Sequence, residues 1–288
     1  MKGMLFFGFG YCAQYLAPLL DAAGFELHAT CRDAAKAKNI EARGITPILL
    51  GDAPLPPDAL NGIDHILLSA APDENGDPAL PLLEKALAQK STPMAWLGYL
   101  STTGVYGDHQ GALIDEDTPR GPLSARGQRR VDAEAAWDAC AKTHDLPMHY
   151  FRLAGIYGPG RNQLATLKAG TARRIDKPGQ VFSRIHVEDI ARILMASIDR
   201  PNAGRAYSVC DDEAAPPQDV VAFAAGLLNL APPPLIPFEA AELSPMAQSF
   251  YAENKRIKNH RLKSELGIAL AYPTYREGLR ALFDGNNY

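Results

Sequence analysis

Cysteine is sparse and scattered in this 288-residue chain: Cys12, Cys31, Cys140 and Cys210 form no Cys-x-x-Cys pair. That spacing argues against a zinc site and a disulfide framework alike, so no metal is expected, and it fits a reducing, cytoplasmic setting. Long apolar runs are missing too; nothing approaches the ~20 residues that a membrane-crossing helix needs. The apolar run after Lys2 is interrupted by Gly8, Gly10, Gln14, Pro18 and Asp21, too early for a signal peptide, and no small-residue cleavage site follows. Positive charge is not in excess: 29 Lys plus Arg against 33 Asp plus Glu leave a net charge of −4. A broad basic surface for nucleic acid or anionic membrane is therefore not expected. Internal repeats and low-complexity tracts are absent. The acidic Asp211-Asp212-Glu213 lacks the spaced oxygen ligands of a calcium loop.

What is present is an alternation of strand-like and helix-like segments. Strands are expected at 25–31, 46–50, 63–70, 94–100 and 148–156, after a first apolar strand. Helices are expected at 14–23, 33–42, 78–89 and 127–144. Such alternation predicts an α/β fold, a doubly wound parallel sheet of the Rossmann type with helices on both faces. A nucleotide should lie beyond the carboxyl ends of the strands, where strand order reverses. After Gly158-Pro159-Gly160 the pattern loosens, with a helix at 188–199 and a short strand at 205–209 that can rejoin the sheet. Pro232-Pro233-Pro234 reads as a stiff connector, followed by helices at 254–266 and 275–283. The expected organisation is a dinucleotide-binding domain over 1–159, with 187–210 returning to it. A smaller C-terminal substrate lobe spans 160–288.

The first strand ends in Gly8-Phe9-Gly10-Tyr11-Cys12-Ala13, a Gly-x-Gly-x-x-Ala turn ahead of a helix. Gly8 permits the tight turn, Gly10 lets backbone approach a pyrophosphate, and Ala13 is small enough for close helix–strand packing. Gly8, Phe9, Gly10, Tyr11 and Cys12 are the candidate phosphate-side residues. The turn lacks Gly-Lys-Ser/Thr, so ATP hydrolysis is not indicated. At the end of the second strand, Arg32 stands where a guanidinium can pair with a 2′-phosphate, and Thr30 can add a hydroxyl. Asp33 reads as the cap of the next helix. The pattern favours NADP over NAD, the alternative for Arg32 being a solvated surface charge. Gly51 and Asp52 can contact adenine. Ser69, Ala70 and Ala71 offer small residues beside the pyrophosphate or ribose.

Beyond the fifth strand comes Tyr99-Leu100-Ser101-Thr102-Thr103-Gly104-Val105-Tyr106-Gly107. Together with the glycine turn, Asp115-Glu116-Asp117-Thr118-Pro119, the run 152–160 and Ile185-His186-Val187-Glu188-Asp189-Ile190, this resembles the extended short-chain dehydrogenase/reductase superfamily. That superfamily includes nucleotide-sugar epimerases and dehydratases. The resemblance spans most of the chain and implies that Thr102 hydrogen-bonds the reacting oxygen, with Ser101 and Thr103 flanking it. It also implies a Tyr-x-x-x-Lys pair on the next helix, where this chain carries Arg126 and Arg130. An arginine offers donors only and stays protonated, so Arg126 cannot exchange a proton. It can clamp a carboxylate or phosphate, or pair with Asp115, Glu116 or Asp117. Arg130 can keep the lysine's contact to the nicotinamide ribose. The chain thus looks like an atypical branch of the superfamily, similar to epimerase-like bacterial proteins that lack the pair.

Tyr106, Tyr157 and His186 are further groups that the resemblance places around the cleft, with structural roles weighed more heavily than catalytic ones. Arg161 and Arg184 lie where related enzymes hold an anionic substrate, although the usual arginine position is Phe182 here. The basic run 255–261 reads as the solvated face of a helix, with Ile257 and Leu262 turned inward. Two functions stay in view. One is an NADP-dependent oxidoreductase or epimerase-like enzyme acting on a small polar, sugar-derived substrate, with Thr102, Arg126 and Arg130 as its catalytic-site candidates. The other is a non-catalytic NADP(H) sensor. No nucleic-acid or membrane partner is expected, and a homodimer is compatible with either.

Overall fold

A computed structural model describes residues 2–51 and 55–288 of the chain. Strands β1 (Lys2–Phe7), β2 (Phe25–Cys31), β3 (Thr46–Leu49), β4 (His65–Leu68) and β5 (Trp96–Thr102) alternate with helices α1 (Tyr11–Ala22), α2 (Ala34–Glu41) and α3 (Leu80–Ala88). Next come β6 (Leu113–Ile114), α4 (Ala125–His144), β7 (Met148–Leu153), β8 (Gly155–Tyr157), α5 (Gln163–Lys168), β9 (Arg174–Asp176), β10 (Arg184–His186) and α6 (Val187–Asp199). The chain continues through β11 (Ala206–Val209), α7 (Pro217–Leu227), β12 (Leu235–Pro237), α8 (Pro245–Tyr251), β13 (Arg256–Ile257), α9 (His260–Leu266) and α10 (Tyr275–Asp284). Among the described residues no helix is long and apolar enough to cross a membrane.

Seven strands form one sheet in the order β11-β7-β5-β4-β1-β2-β3. The pairings of β1 with β2 and β4, of β2 with β3 and of β4 with β5 are all parallel. Order therefore reverses between β1 and β4, where Phe7 lies opposite Leu68. This is the doubly wound Rossmann arrangement, with its switch point at Gly8 and Ser69.

By internal contacts the chain divides into two compact units, each built from three stretches. The first comprises Met1–Thr102, Ala125–Arg152 and Ala191–Tyr207. Its core follows from the pattern of the elements: β4, and β1 from Gly3 onward, are buried on both faces, as strands of a covered parallel sheet are. α1 buries Ala13, Leu16, Ala17 and Leu20 along one stripe. α4 turns Ala133, Trp137 and Cys140 inward against Leu83, Leu87, Leu97 and Tyr99. Trp96 is fully buried and donates through Nε1 to Ser197 Oγ at 3.0 Å, so its one polar atom is satisfied. Asp33 caps α2, its carboxylate accepting the Lys36 amide at 2.8 Å as the sequence implies.

The second unit comprises Thr103–Ser124, Leu153–Ile190 and Ser208–Tyr288. Tyr157, Leu164, Val220, Ala224, Tyr275, Leu279 and Leu282 form its core. Residues 103–124 cluster here, whereas the sequence reading kept them with 1–159. Pairing is the reason: Leu113 and Ile114 lie opposite Arg256 and Ile257, and the Gly111 amide donates to the Asn254 carbonyl at 2.9 Å.

Two expected elements differ. The helix expected at 254–266 begins only at His260, because Asn254 spends its side chain on the Gly179 carbonyl and the Val181 amide. Such side-chain bonds compete with helical backbone. Ile257 and Leu262 are buried as expected, but Ile257 does so from a strand. The strand expected at 148–156 divides at Ala154, whose amide turns to the Val209 carbonyl at 3.0 Å. Helix α7 has no counterpart among the sequence expectations.

Candidate functional site

Gly8 follows β1 with φ of +87°, and a Cβ there would lie 3.2 Å from Ser69 Oγ and 3.3 Å from the Ala70 nitrogen. Only glycine suits both the conformation and the space. The Gly8 amide donates to Thr30 Oγ1 at 2.9 Å, and Ser69 Oγ donates to the Gly8 carbonyl at 2.6 Å. Gly10 is different. It stands at the start of α1 in extended conformation, and a Cβ built on it meets nothing within 4 Å. The helix start carries no side-chain cap and no acid in its first turn. Open space beside a positive helix end with no acid in its first turn is what a pyrophosphate requires, so these residues fit a dinucleotide. Phe9 packs its ring edge-on against Phe6 at 5.5 Å, with the Arg43 guanidinium 6.0 Å from its centroid. Tyr11 packs against Tyr15, and Cys12 is buried.

Arg32 is exposed immediately past β2, while Thr30 is buried and already bonded to Gly8. The Lys36 amide holds the Asp33 carboxyl below the usual carboxylate range. Past β3, Gly51 is exposed; Asp52 lies outside the described residues. Past β4, Ser69 and Ala70 are half-buried and Ala71 is exposed. Both the Ser69 and Ala70 amides bond to the Phe7 carbonyl, at 3.1 and 3.2 Å.

A second group gathers at the end of β5. Thr102, its last residue, is half-buried. Ser101 is buried and donates to Glu134 Oε1 at 2.6 Å. Arg152 grips the same carboxylate in a fork, Nε to Oε1 at 3.2 Å and Nη2 to Oε2 at 2.8 Å. Arg130 donates through Nη1 to the Leu100 carbonyl at 2.6 Å and to the Tyr99 hydroxyl at 3.1 Å. Burial drives the Tyr99 phenol far above its ordinary range, so it stays a neutral acceptor for that guanidinium. Arg126 is exposed in the first turn of α4. Arg126, Arg130 and Glu134 recur every four residues and so share one side of the helix. Glu134 and Arg152 were not singled out from sequence as site residues. The four-residue spacing after Arg130 was the available signal for Glu134.

The remaining candidates are built into the second unit. Tyr106 is buried, its hydroxyl 3.2 Å from Ser208 Oγ. Tyr157 donates to the Thr274 carbonyl at 3.4 Å, and burial raises its phenol beyond any working pH. His186 is buried, accepts the Glu188 amide on Nδ1 at 3.3 Å, and is held below its ordinary pKa by that burial. These are the structural roles that sequence reading weighed more heavily. Arg161 is exposed, whereas Arg184 donates to the Phe182 and Ala215 carbonyls. Asp115 pairs with Lys258 at 3.8 Å, and Asp117 with Arg261 at 2.6 Å.

A solved structure of a conserved protein of unknown function from Silicibacter pomeroyi DSS is similar throughout. It shares 50% identity, with 100% of each chain covered and a TM-score of 0.91. UDP-glucose 4-epimerase from Thermotoga maritima, solved with UDP-glucose, shares the fold at 15% identity and a TM-score of 0.81, covering 99% of this chain and 98% of that one. UDP-glucuronic acid 4-epimerase from Bacillus cereus, solved with NAD, does so at 17% identity and a TM-score of 0.75, covering 99% and 96%. No curated protein matches the chain. The sequence model of the NAD dependent epimerase/dehydratase family matches residues 8–210, from the first glycine of the turn to the end of the last sheet strand, and the chain belongs to that family.

Proposed function

We propose that the protein is an NADP-dependent oxidoreductase of the epimerase/dehydratase type, acting on a small polar, sugar-derived substrate. Family membership supports the nicotinamide cofactor. The observation that carries the finer reading is the pairing of an open cradle at Gly10 with an exposed guanidinium at Arg32. The first receives a pyrophosphate and the second a 2′-phosphate. The UDP-glucose held by the Thermotoga maritima structure supports a sugar-derived substrate.

When bound, the nicotinamide accepts or returns a hydride. The chain supplies binding and orientation. Thr102 orients a substrate oxygen from the end of β5, while its neighbour Ser101 is committed to Glu134. Arg130, fixed by the Leu100 carbonyl, holds the cofactor ribose. Arg126 offers donors only, so it clamps a carboxylate or phosphate on the substrate.

The test is turnover with NADPH or NADP across carbonyl compounds and nucleotide sugars. Activity should appear on at least one substrate, and Thr102→Ala should lower kcat by about 100-fold, the effect of losing one aimed hydrogen bond in a transition state. Tight NADP(H) binding without turnover on any of them would point to a sensor.

A further inference from the structure

We propose that Glu84, Cys140 and His144 form a binding site for one divalent cation of the zinc class, stapling α3 to α4. Cys140 and His144 are four residues apart on α4 and therefore stack on one face of the helix. Glu84 reaches them from α3. One ligand atom of each residue lies within 4.8 Å of the other two, and His144 Nε2 is 3.9 Å from Glu84 Oε1. A tetrahedral ion with bonds of about 2.0–2.3 Å holds such atoms roughly 3.3–3.6 Å apart, so small side-chain rotations close the set.

The donors define the ion. Sulfur, imidazole nitrogen and one carboxylate suit a borderline-soft metal and exclude calcium and magnesium, which take oxygen throughout. Burial is graded across the site. Cys140 is 4% exposed, the His144 side chain 23% and that of Glu84 53%. The sulfur thus sits on the core side, the ion enters past Glu84, and a water completes four-coordination. Burial, with the Glu84 carboxylate beside it, pushes the Cys140 thiol up to about 11. Binding forms one sulfur–metal bond as the thiol gives its proton to solvent.

The site is independent of the proposed hydride chemistry. Arg126 and Arg130 occupy the first turns of α4, and His144 lies about 21 Å further along the helix axis at 1.5 Å per residue. Paired-cysteine spacing does not reveal it, because one ligand comes from another helix and only one is a thiol.

Cobalt(II) titration of the chelator-stripped full chain tests it. One equivalent should produce a thiolate-to-cobalt charge-transfer band with tetrahedral visible bands, and zinc should abolish both. Cys140→Ser should remove the charge-transfer band. Glu84→Gln and His144→Gln should keep it and weaken affinity by about tenfold or more each. The proposal is overturned by no band at one equivalent, by a band that survives Cys140→Ser, or by unchanged affinity in both Glu84→Gln and His144→Gln. That last pair decides the matter if Cys140→Ser does not fold. NADPH binding should be the same with and without zinc.

Discussion

The amide of Gly8 donates to the hydroxyl of Thr30 across 2.9 Å, so the turn that ends β1 is braced by the penultimate residue of β2. Ser69 holds the carbonyl of the same glycine from beyond β4. Strands on both sides of β1 thereby fix one residue. Thr30→Val would keep the shape and strand the Gly8 N–H, costing about 1–3 kcal/mol. Urea unfolding should show a lower midpoint for Thr30→Val and near-recovery for Thr30→Ser. Equal midpoints for Thr30→Val and the parent would mean that the brace contributes nothing.

The two glycines of the turn should respond oppositely to alanine. Gly8→Ala forces a side chain into positive φ against Ser69 and should destabilise by about 1–2 kcal/mol. Gly10→Ala meets no neighbour and should leave the unfolding midpoint nearly unchanged, while its methyl fills the space a pyrophosphate needs. Nucleotide titration of the folded Gly10→Ala protein is the decisive measurement. Affinity equal to that of the parent would remove Gly10 from the site.

Arg32 is exposed and makes a clean test of cofactor choice. A charge-assisted bond to a 2′-phosphate is worth about 1.5–3 kcal/mol, so Arg32→Ala should weaken NADPH by roughly 10- to 100-fold. NADH affinity and thermal stability should not move. Calorimetry with both nucleotides separates the outcomes, and equal losses for the two would contradict a phosphate contact.

Asp211 predicts a pH effect of definite sign. It is 3% exposed; burial pushes its carboxyl up to about 8 from 3.8, with Arg184 pulling the other way. Among the described residues its Oδ2 finds no hydrogen-bond donor, so nothing at that oxygen stabilises the charged form. The folded chain therefore keeps a proton that the unfolded chain releases. This contribution is complete below pH ~4 and is lost as pH rises to about 8, with a slope of up to ~1.4 kcal/mol per unit. Stability of Asp211→Asn lacks that slope. Melting curves from pH 5 to 8 should converge or cross for the two proteins, and parallel profiles would place the carboxyl elsewhere on the pH scale.

Local chemistry was legible in the sequence. The second strand runs over 25–31 as its apolar pattern implies, and Asp33 caps the helix after it. The glycine turn was legible because it depends on a few adjacent residues, whereas the strand order, which sets Phe7 opposite Leu68, was not. What escaped depends on distant ones. Asn254 leaves the helical pattern for bonds to Gly179 and Val181, and Arg256–Ile257 pairs with a strand more than a hundred residues upstream. Glu134 is an ordinary helical acid until Ser101 and Arg152 converge on it. Thr30 shows the same limit from the other side. Its position suggested a ligand contact, and the structure adds that its hydroxyl accepts the Gly8 amide.

Because β11 lies beside β7 at the end of the sheet, the order of synthesis matters. When β7 leaves the ribosome its outer edge is bare, and residues 154–205 must follow before Ala206–Val209 can cover it. Throughout that interval the six-residue β7, rather than the four-residue β11, is the exposed edge, and a longer bare edge is more prone to pairing with another chain. No contiguous fragment corresponds to either unit, so cutting the chain between domains is not an option for expression. A ribosome stalled before residue 206 would hold the first unit incomplete, and release of the last strand is the step that completes the sheet.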